Sequence, residues 1–346
     1  MPRRSAHAAL RKAWHKGLNA LTGQVMRAAK DVARGAQSAV PDLTKTPKHP
    51  SPGLGDWLAG VATGRGGMRR FRLFRPFGLT PGERVPLIVM LHGCGQDPAG
   101  FAASTRMNRL AAREGCLVLY PAQSRLANPQ RCWNWFDIEN GRAQAEAALI
   151  LAAIDQACVL YPADRSRVVI AGLSAGAGMA ALMATTWPER FRAVAMHAGV
   201  APGLATTTAS ALRAMRGDIA SAALGASTAA SAASMSSTAK PLDWPPLLVI
   251  QGTKDAVVAP SNGREALRLW AQASGATTER TRTVQRGRRL PMTVVDVGRG
   301  RAVAATLVEI EGLAHAWSGG AANASFSDPA GPDATAMIWR FFAKRL

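Results

Sequence analysis

Between Met68 and the last residue, short runs of consecutive apolar side chains alternate with longer stretches whose apolar positions recur every three or four residues. The runs at 86–91, 116–120, 167–171, 193–197 and 247–251 lack the polar alternation of a half-exposed strand, so they predict strands buried on both faces. Residues 68–74 predict one more strand ahead of them. The stretches 101–114, 139–161, 175–186 and 262–274 predict helices, and 333–344 predicts the last one. Strand and helix in regular alternation imply an α/β domain, with a mostly parallel central sheet covered by helices on both faces. Residues 281–284, 293–297 and 304–310 predict closing strands, and no second catalytic domain is expected after them.

Two segments break the alternation. From 5 to 36 the residues Leu10, Trp14, Leu18, Leu21, Val25, Ala29 and Val32 share one helical face, with Arg11, Lys12, Lys16 and Lys30 off it, which predicts a basic amphipathic helix. Residues 37–55, with four prolines, read as a linker, so 1–50 is set apart from a domain at 51–346. The second departure is 201–240, crowded with Ala, Ser and Thr, which predicts a surface insertion or lid with one helix near 209–215. The most apolar window, 143–160, is interrupted by Glu146 and Asp155 and reads as an amphipathic helix, so no membrane span is expected.

The formal charge of +20 changes this picture only at the ends. Residues 1–75 hold fifteen basic side chains and three acids, and a second arginine-rich stretch lies between Arg264 and Arg301. A basic arm on a nearly neutral globule would favour an anionic or granule surface, or nucleic acid without sequence preference. The alternative, that the helix packs on its own domain or on a twin subunit, stays open. No continuous apolar segment follows Arg3-Arg4, so a secretory signal is not expected and a cytoplasmic location follows from the N-terminus as written. The cysteines Cys94, Cys116, Cys132 and Cys158 form no C-x-x-C pair and have no histidine at metal-ligand spacing, so no metal is expected and buried thiols are the simplest reading.

The chemistry concentrates at strand ends. Gly172-Leu173-Ser174-Ala175-Gly176 lies between an apolar strand and an Ala-rich helix, the setting in which a serine is exposed on a sharp strained turn as a nucleophile. A serine needs a base, and of six histidines only His92, His197 and His315 lie outside the N-terminal segment. The order nucleophile, acid, histidine leaves room for a carboxylate only with His315, in the Gly-flanked loop 311–320. Asp255 follows directly on the strand at 247–250 and is the expected acid. The Gly-rich turn 91–96 is placed to aim the Cys94 amide at an oxyanion together with that of Ala175, and His92 braces this turn or touches substrate. Trp133 and Trp135 are expected either as core filling or as an acyl-binding wall, with Trp317 a further substrate contact. If that loop covers the site, Cys132 approaches Cys94, and a disulfide between them is the one cross-link expected.

At His92-Gly93-Cys94-Gly95-Gln96, Cys132-Trp133-Asn134-Trp135-Phe136, Gly172-Leu173-Ser174-Ala175-Gly176, Gly252-Thr253-Lys254-Asp255 and His315-Ala316-Trp317-Ser318-Gly319-Gly320 the chain resembles the polyhydroxybutyrate depolymerase family of esterases. That family is close to the carbohydrate esterases that include feruloyl and acetylxylan esterases, and the resemblance covers roughly 65–345. It implies an α/β-hydrolase fold, no cofactor, and hydrolysis of ester bonds in poly(3-hydroxybutyrate), its oligomers or small esters. It also implies export for many members, against the N-terminal reading. The competing expectations are a feruloyl or acetylxylan type esterase and, from another class, a particle- or nucleic-acid-binding protein whose hydrolase domain is passive.

Overall fold

The computed structural model describes residues 54–64, 66–218 and 243–346. The basic helix and linker expected over 1–50, and most of the 201–240 insertion, lie outside the described residues.

Ten strands form one sheet. In chain order they are β1 (Gly55–Gly64), β2 (Gly67–Pro76), β3 (Val85–Leu91), β4 (Leu117–Pro121), β5 (Ala163–Leu173), β6 (Ala193–His197), β7 (Leu247–Gly252), β8 (Thr278–Val284), β9 (Met292–Arg299) and β10 (Ala302–Ile310). Their spatial order is β1-β2-β4-β3-β5-β6-β7-β10-β9-β8. The strands from β4 through β10 in that order are all parallel, and an antiparallel hairpin closes each side. The chain moves from β3 outward to β4 and then returns across β3 to β5, so the carboxyl ends of β3 and β5 open side by side at a switch point, where such sheets place their sites.

Helices α1 (Pro98–Thr105), α2 (Met107–Glu114) and α7 (Ala334–Phe342) cover one face, sharing a core with Ile88, Met90, Val118, Val169, Ala171, Ile250 and Val308. The alternate side chains of the same strands meet α3 (Arg142–Leu160), α4 (Ala175–Thr186) and α6 (Ser261–Ser274) on the other face. The short α5 (Thr208–Met215) begins in a capping box, with the Thr207 hydroxyl accepting the Ser210 amide. Two residue pairs, Trp317–Ser318 (β11) and Ser327–Asp328 (β12), form a small separate ladder.

Three expectations change. The stretch 101–114 is two helices, because Arg106 stands in the left-handed region at φ 56° and ends α1. Its guanidinium reaches the carbonyls of Gly319 and Gly320, which fixes the break. The domain core begins at β1, before Met68, since Trp57, Leu58 and Val61 do not alternate strictly and the strand is recognisable only through its pairing with β2. Finally, β10 continues the parallel layer beside β7, and only β9 and β8 close the edge. Helix α3 is long and apolar enough to cross a membrane by length and composition; here it packs on β1, β2 and β5, with Glu146 on its buried face.

Candidate active site

One residue, Ser174, separates β5 from α4, and it carries the bend with φ 56° and ψ −121°, a costly conformation for a residue with a side chain. The turn is this sharp because the neighbouring backbones touch. A Cβ on Gly172 would stand 2.3 Å from the backbone of Gly176, and one on Gly176 would stand 2.2 Å from the carbonyl oxygen of Leu91. The Ser174 amide donates to the carbonyl of His197 (2.9 Å), and its own carbonyl accepts from Ala177 and Gly178, starting the helix. Ser174 is half-buried, over the positive end of α4.

Asp255 lies in the turn after β7, with its side chain fully buried. One carboxylate oxygen accepts the amides of Val257 and Val258, each at 2.9 Å. The other stands 2.8 Å from Nδ1 of His315 and 3.3 Å from Nε2 of Gln251. A proton on Nδ1 of His315 donates to Asp255 and leaves Nε2 with a lone pair, the tautomer a general base requires. The loops carrying the two residues are laced together: Thr253 and Lys254 donate to Ile310 and Leu313, Gly312 donates to the Thr253 hydroxyl, and a Cβ at Gly252 would fall 2.2 Å from Leu313 oxygen.

Across β5, the turn after β3 is held from several sides. A disulfide joins Cys94 to Cys132. Gly95 donates to Gln130, and the Gly93 amide donates to Oε1 of Gln96. Among the described residues the Cys94 amide has no acceptor, and the Ala175 amide opens α4, where no carbonyl of the helix reaches it. His92 is buried; its Nδ1 donates to Gly93 oxygen (2.8 Å) and its Nε2 accepts the Gln123 amide (3.1 Å). Burial lowers its pKa to about 4, which keeps the ring neutral and this pattern intact.

The substrate-contact roles expected for His92, Trp133 and Trp317 do not fit these positions. Trp133 and Trp317 are completely buried, and His92 is 1% exposed. Trp133 donates its indole N–H to His92 oxygen and lies under the Arg69 guanidinium, while Trp317 donates to the Thr335 hydroxyl. Trp135 is mostly buried too, edge-on to Phe136 and against Gly178 of α4. The flanking polar residues suggested a loop surface, but Asn134 turns inward, giving its amide and side-chain N–H to the buried carboxylate of Glu146. His197, at the end of β6, is a candidate base that chain order sets aside, and sequence reasoning expects no structural role for it; its Nε2 accepts the Ser318 amide at 3.1 Å. A histidine closing an apolar strand was the available signal. Among the described residues no three His, Cys, Asp or Glu side chains group closely enough to hold a metal ion.

The family profile described as Esterase PHB depolymerase matches residues 70–283, which include Ser174 and Asp255. The chain belongs to this esterase family. Poly(3-hydroxyalkanoate) depolymerase C of Paucimonas lemoignei is 39% identical over 132 residues, which is 38% of this chain and 32% of that protein. Feruloyl esterase B of Neurospora crassa is 36% identical over 118 residues, 33% of this chain and 39% of the relative. The alignment thus spans about a third of the length of these curated relatives. In fold, an acetyl xylan esterase from Aspergillus awamori superposes with a TM-score of 0.59 at 20% identity, covering 84% of this chain and 99% of that one. The sheet and helices of this family member are those of the α/β-hydrolase esterases.

Two outcomes follow from the geometry. His92 and His197 have pKa values of about 4 and about 3 when folded, against 6.5 for a free side chain. As the pH falls through 6.5 the unfolded chain binds protons the folded one does not, so stability falls on acidification, with a slope that steepens to about 1 kcal/mol per pH unit for each histidine by pH 5. Urea unfolding at pH 7, 6 and 5 should show that slope, flatter in His197→Gln. The second outcome concerns the Cys94 turn: Cys132→Ala should lower kcat by about tenfold or more through a displaced amide, with a smaller change in KM. Steady-state kinetics on a p-nitrophenyl ester reads the split.

Proposed function

We propose that the chain is a serine esterase that hydrolyses ester bonds of poly(3-hydroxybutyrate) or its oligomers through an acyl-enzyme, without a cofactor. The observation that carries this reading is Ser174 held at φ 56° on the turn into α4, at the same carboxyl edge of the parallel sheet as an Asp255–His315 pair 2.8 Å apart. Ser174 Oγ attacks the ester carbonyl carbon while Nε2 of His315 takes its proton. The tetrahedral oxyanion is received by the amides of Cys94 and Ala175. Collapse expels the alcohol, which takes the proton from His315. Water then attacks the acyl-serine by the same route and releases the acid. Asp255 holds the tautomer of His315 and stabilises its cation.

The polyester substrate is supported by the family description and by the depolymerase of Paucimonas lemoignei. A second reading, an esterase acting on feruloylated or acetylated polysaccharide, is supported by the Neurospora crassa relative and by the acetyl xylan esterase fold. Residues 51–346 carry the catalysis in either case, and the basic 1–50 segment is proposed to attach them to an anionic or granule surface.

Wild type should hydrolyse p-nitrophenyl butyrate and 3-hydroxybutyrate trimer, and Ser174→Ala should hydrolyse neither above the residual left by binding alone. Full turnover by the variant would remove the central claim, whereas cleavage of methyl ferulate but not of the trimer would move the polysaccharide reading ahead. Deleting 1–50 should leave turnover unchanged and abolish salt-sensitive association with anionic vesicles, as measured by sedimentation. Loss of turnover together with binding would contradict the separation.

A further inference from the structure

At the carboxyl end of β6, His197 is bonded to both sides of the Ser174 and His315 arrangement without belonging to it. Its carbonyl oxygen accepts the Ser174 amide at 2.9 Å, at the very residue whose backbone is left-handed. Its ring Nε2 accepts the Ser318 amide at 3.1 Å, three residues beyond His315. The next residue, Ala198, is itself left-handed at φ 53° and donates to Ile250 of β7, the strand that leads into Asp255. The nucleophile turn, the histidine loop and the acid strand thus converge on two consecutive residues.

The ring is 1% exposed and stacks on Trp317, with centroids 5.0 Å apart and planes 25° from parallel. An N–H can be received only by a lone pair, so Nε2 is unprotonated and the single ring proton sits on Nδ1. Nδ1 is buried and has no hydrogen-bond partner among the described residues. A phenylalanine would keep the stacking and remove this unsatisfied donor, so packing alone favours Phe at the position. What Phe lacks is the acceptor for Ser318. Burial and the nearby His315 both oppose a charge on the ring, which preserves the acceptor.

We propose that His197 is a positioning residue: a neutral strut whose Nε2 holds Ser318 and thereby sets where His315 stands relative to Ser174. It mirrors His92 on the other side of β5, whose Nε2 holds Gln123 and whose ring lies against Trp133 at 5.4 Å. One strut serves the oxyanion turn and the other the base loop. The inference rests on the proposed role of His315 as the base.

The test crosses two variants that separate hydrogen bonding from packing. His197→Gln places a carbonyl oxygen where Nε2 was and gives up the ring; His197→Phe keeps the ring and gives up the acceptor. Positioning predicts that Gln keeps kcat within about threefold, while Phe loses about 10–100-fold in kcat with KM within about twofold. Hydrogen exchange of a peptide spanning 313–320 should accelerate in the Phe variant and stay protected in the Gln variant. His197→Leu replaces Phe should that variant not accumulate. Wild-type kcat in the acceptor-less variant, or a Gln variant slower than Phe, overturns the proposal in favour of simple packing. If wild type shows no ester turnover at all, the esterase reading fails by itself, and the exchange of the Ser318 amide still decides whether His197 holds this loop.

Discussion

Everything at the candidate site is measured from the contact between the start of α4 and the ends of β3 and β5. The Gly176 backbone lies against Leu91 oxygen, and Gly172 lies against Gly176, closer than any Cβ allows. That contact forces a one-residue turn from strand to helix and puts Ser174 in a conformation that side chains avoid. The cost is met by the surroundings: the Ser174 amide has an acceptor in His197, and its carbonyl has two donors in the first turn of α4. Because the turn ends a central strand that is buried from Val168 to Leu173, the serine cannot relax without disturbing both layers of the core.

The neighbouring strands then deliver the remaining parts, each with its own restraint. Left-handed backbone recurs at Arg131, beside the disulfide, and at Ala198, beside His197, and two further residues with side chains, Arg106 and Phe326, adopt it in the loops. Both buried histidines are used in the neutral form as acceptors for loop amides, and each lies against a tryptophan. A protonated ring would present a donor to a donor in either place. The same low dielectric that makes such bonds firm also makes them intolerant of charge, which ties the order of the site to pH.

The outer strands answer a different constraint. β8 is the sheet edge on one side, and Thr278 through Thr283 are exposed on both faces, with Arg280 and Arg282 among them. Arginine and glutamate along an open edge discourage another chain from pairing there. On the opposite edge, β1 is held by its full register with β2 and by the Asp56–Arg75 ion pair, a contact exposed enough to contribute little by itself.

The sequence alone determined the elements whose periodicity is strong and whose burial is complete: β3, β4, β6, β7, α4 and α6 stand within a residue or two of where apolar runs and helical spacing put them. It also singled out Ser174, Asp255 and His315, because glycine spacing and chain order are local facts. Tertiary structure decided what depends on partners distant in the chain. β1 exists through β2, β10 is parallel because it meets β7, and α1 ends at Arg106 because that side chain binds carbonyls more than two hundred residues away. Trp133, Trp317 and His92 read from sequence as a possible substrate surface, yet they are buried braces, since an aromatic side chain in a polar stretch does not announce which way it faces. The pairing of Cys94 with Cys132 and the hold of His197 on Ser318 were settled only when separate strand ends were brought to one edge of the sheet.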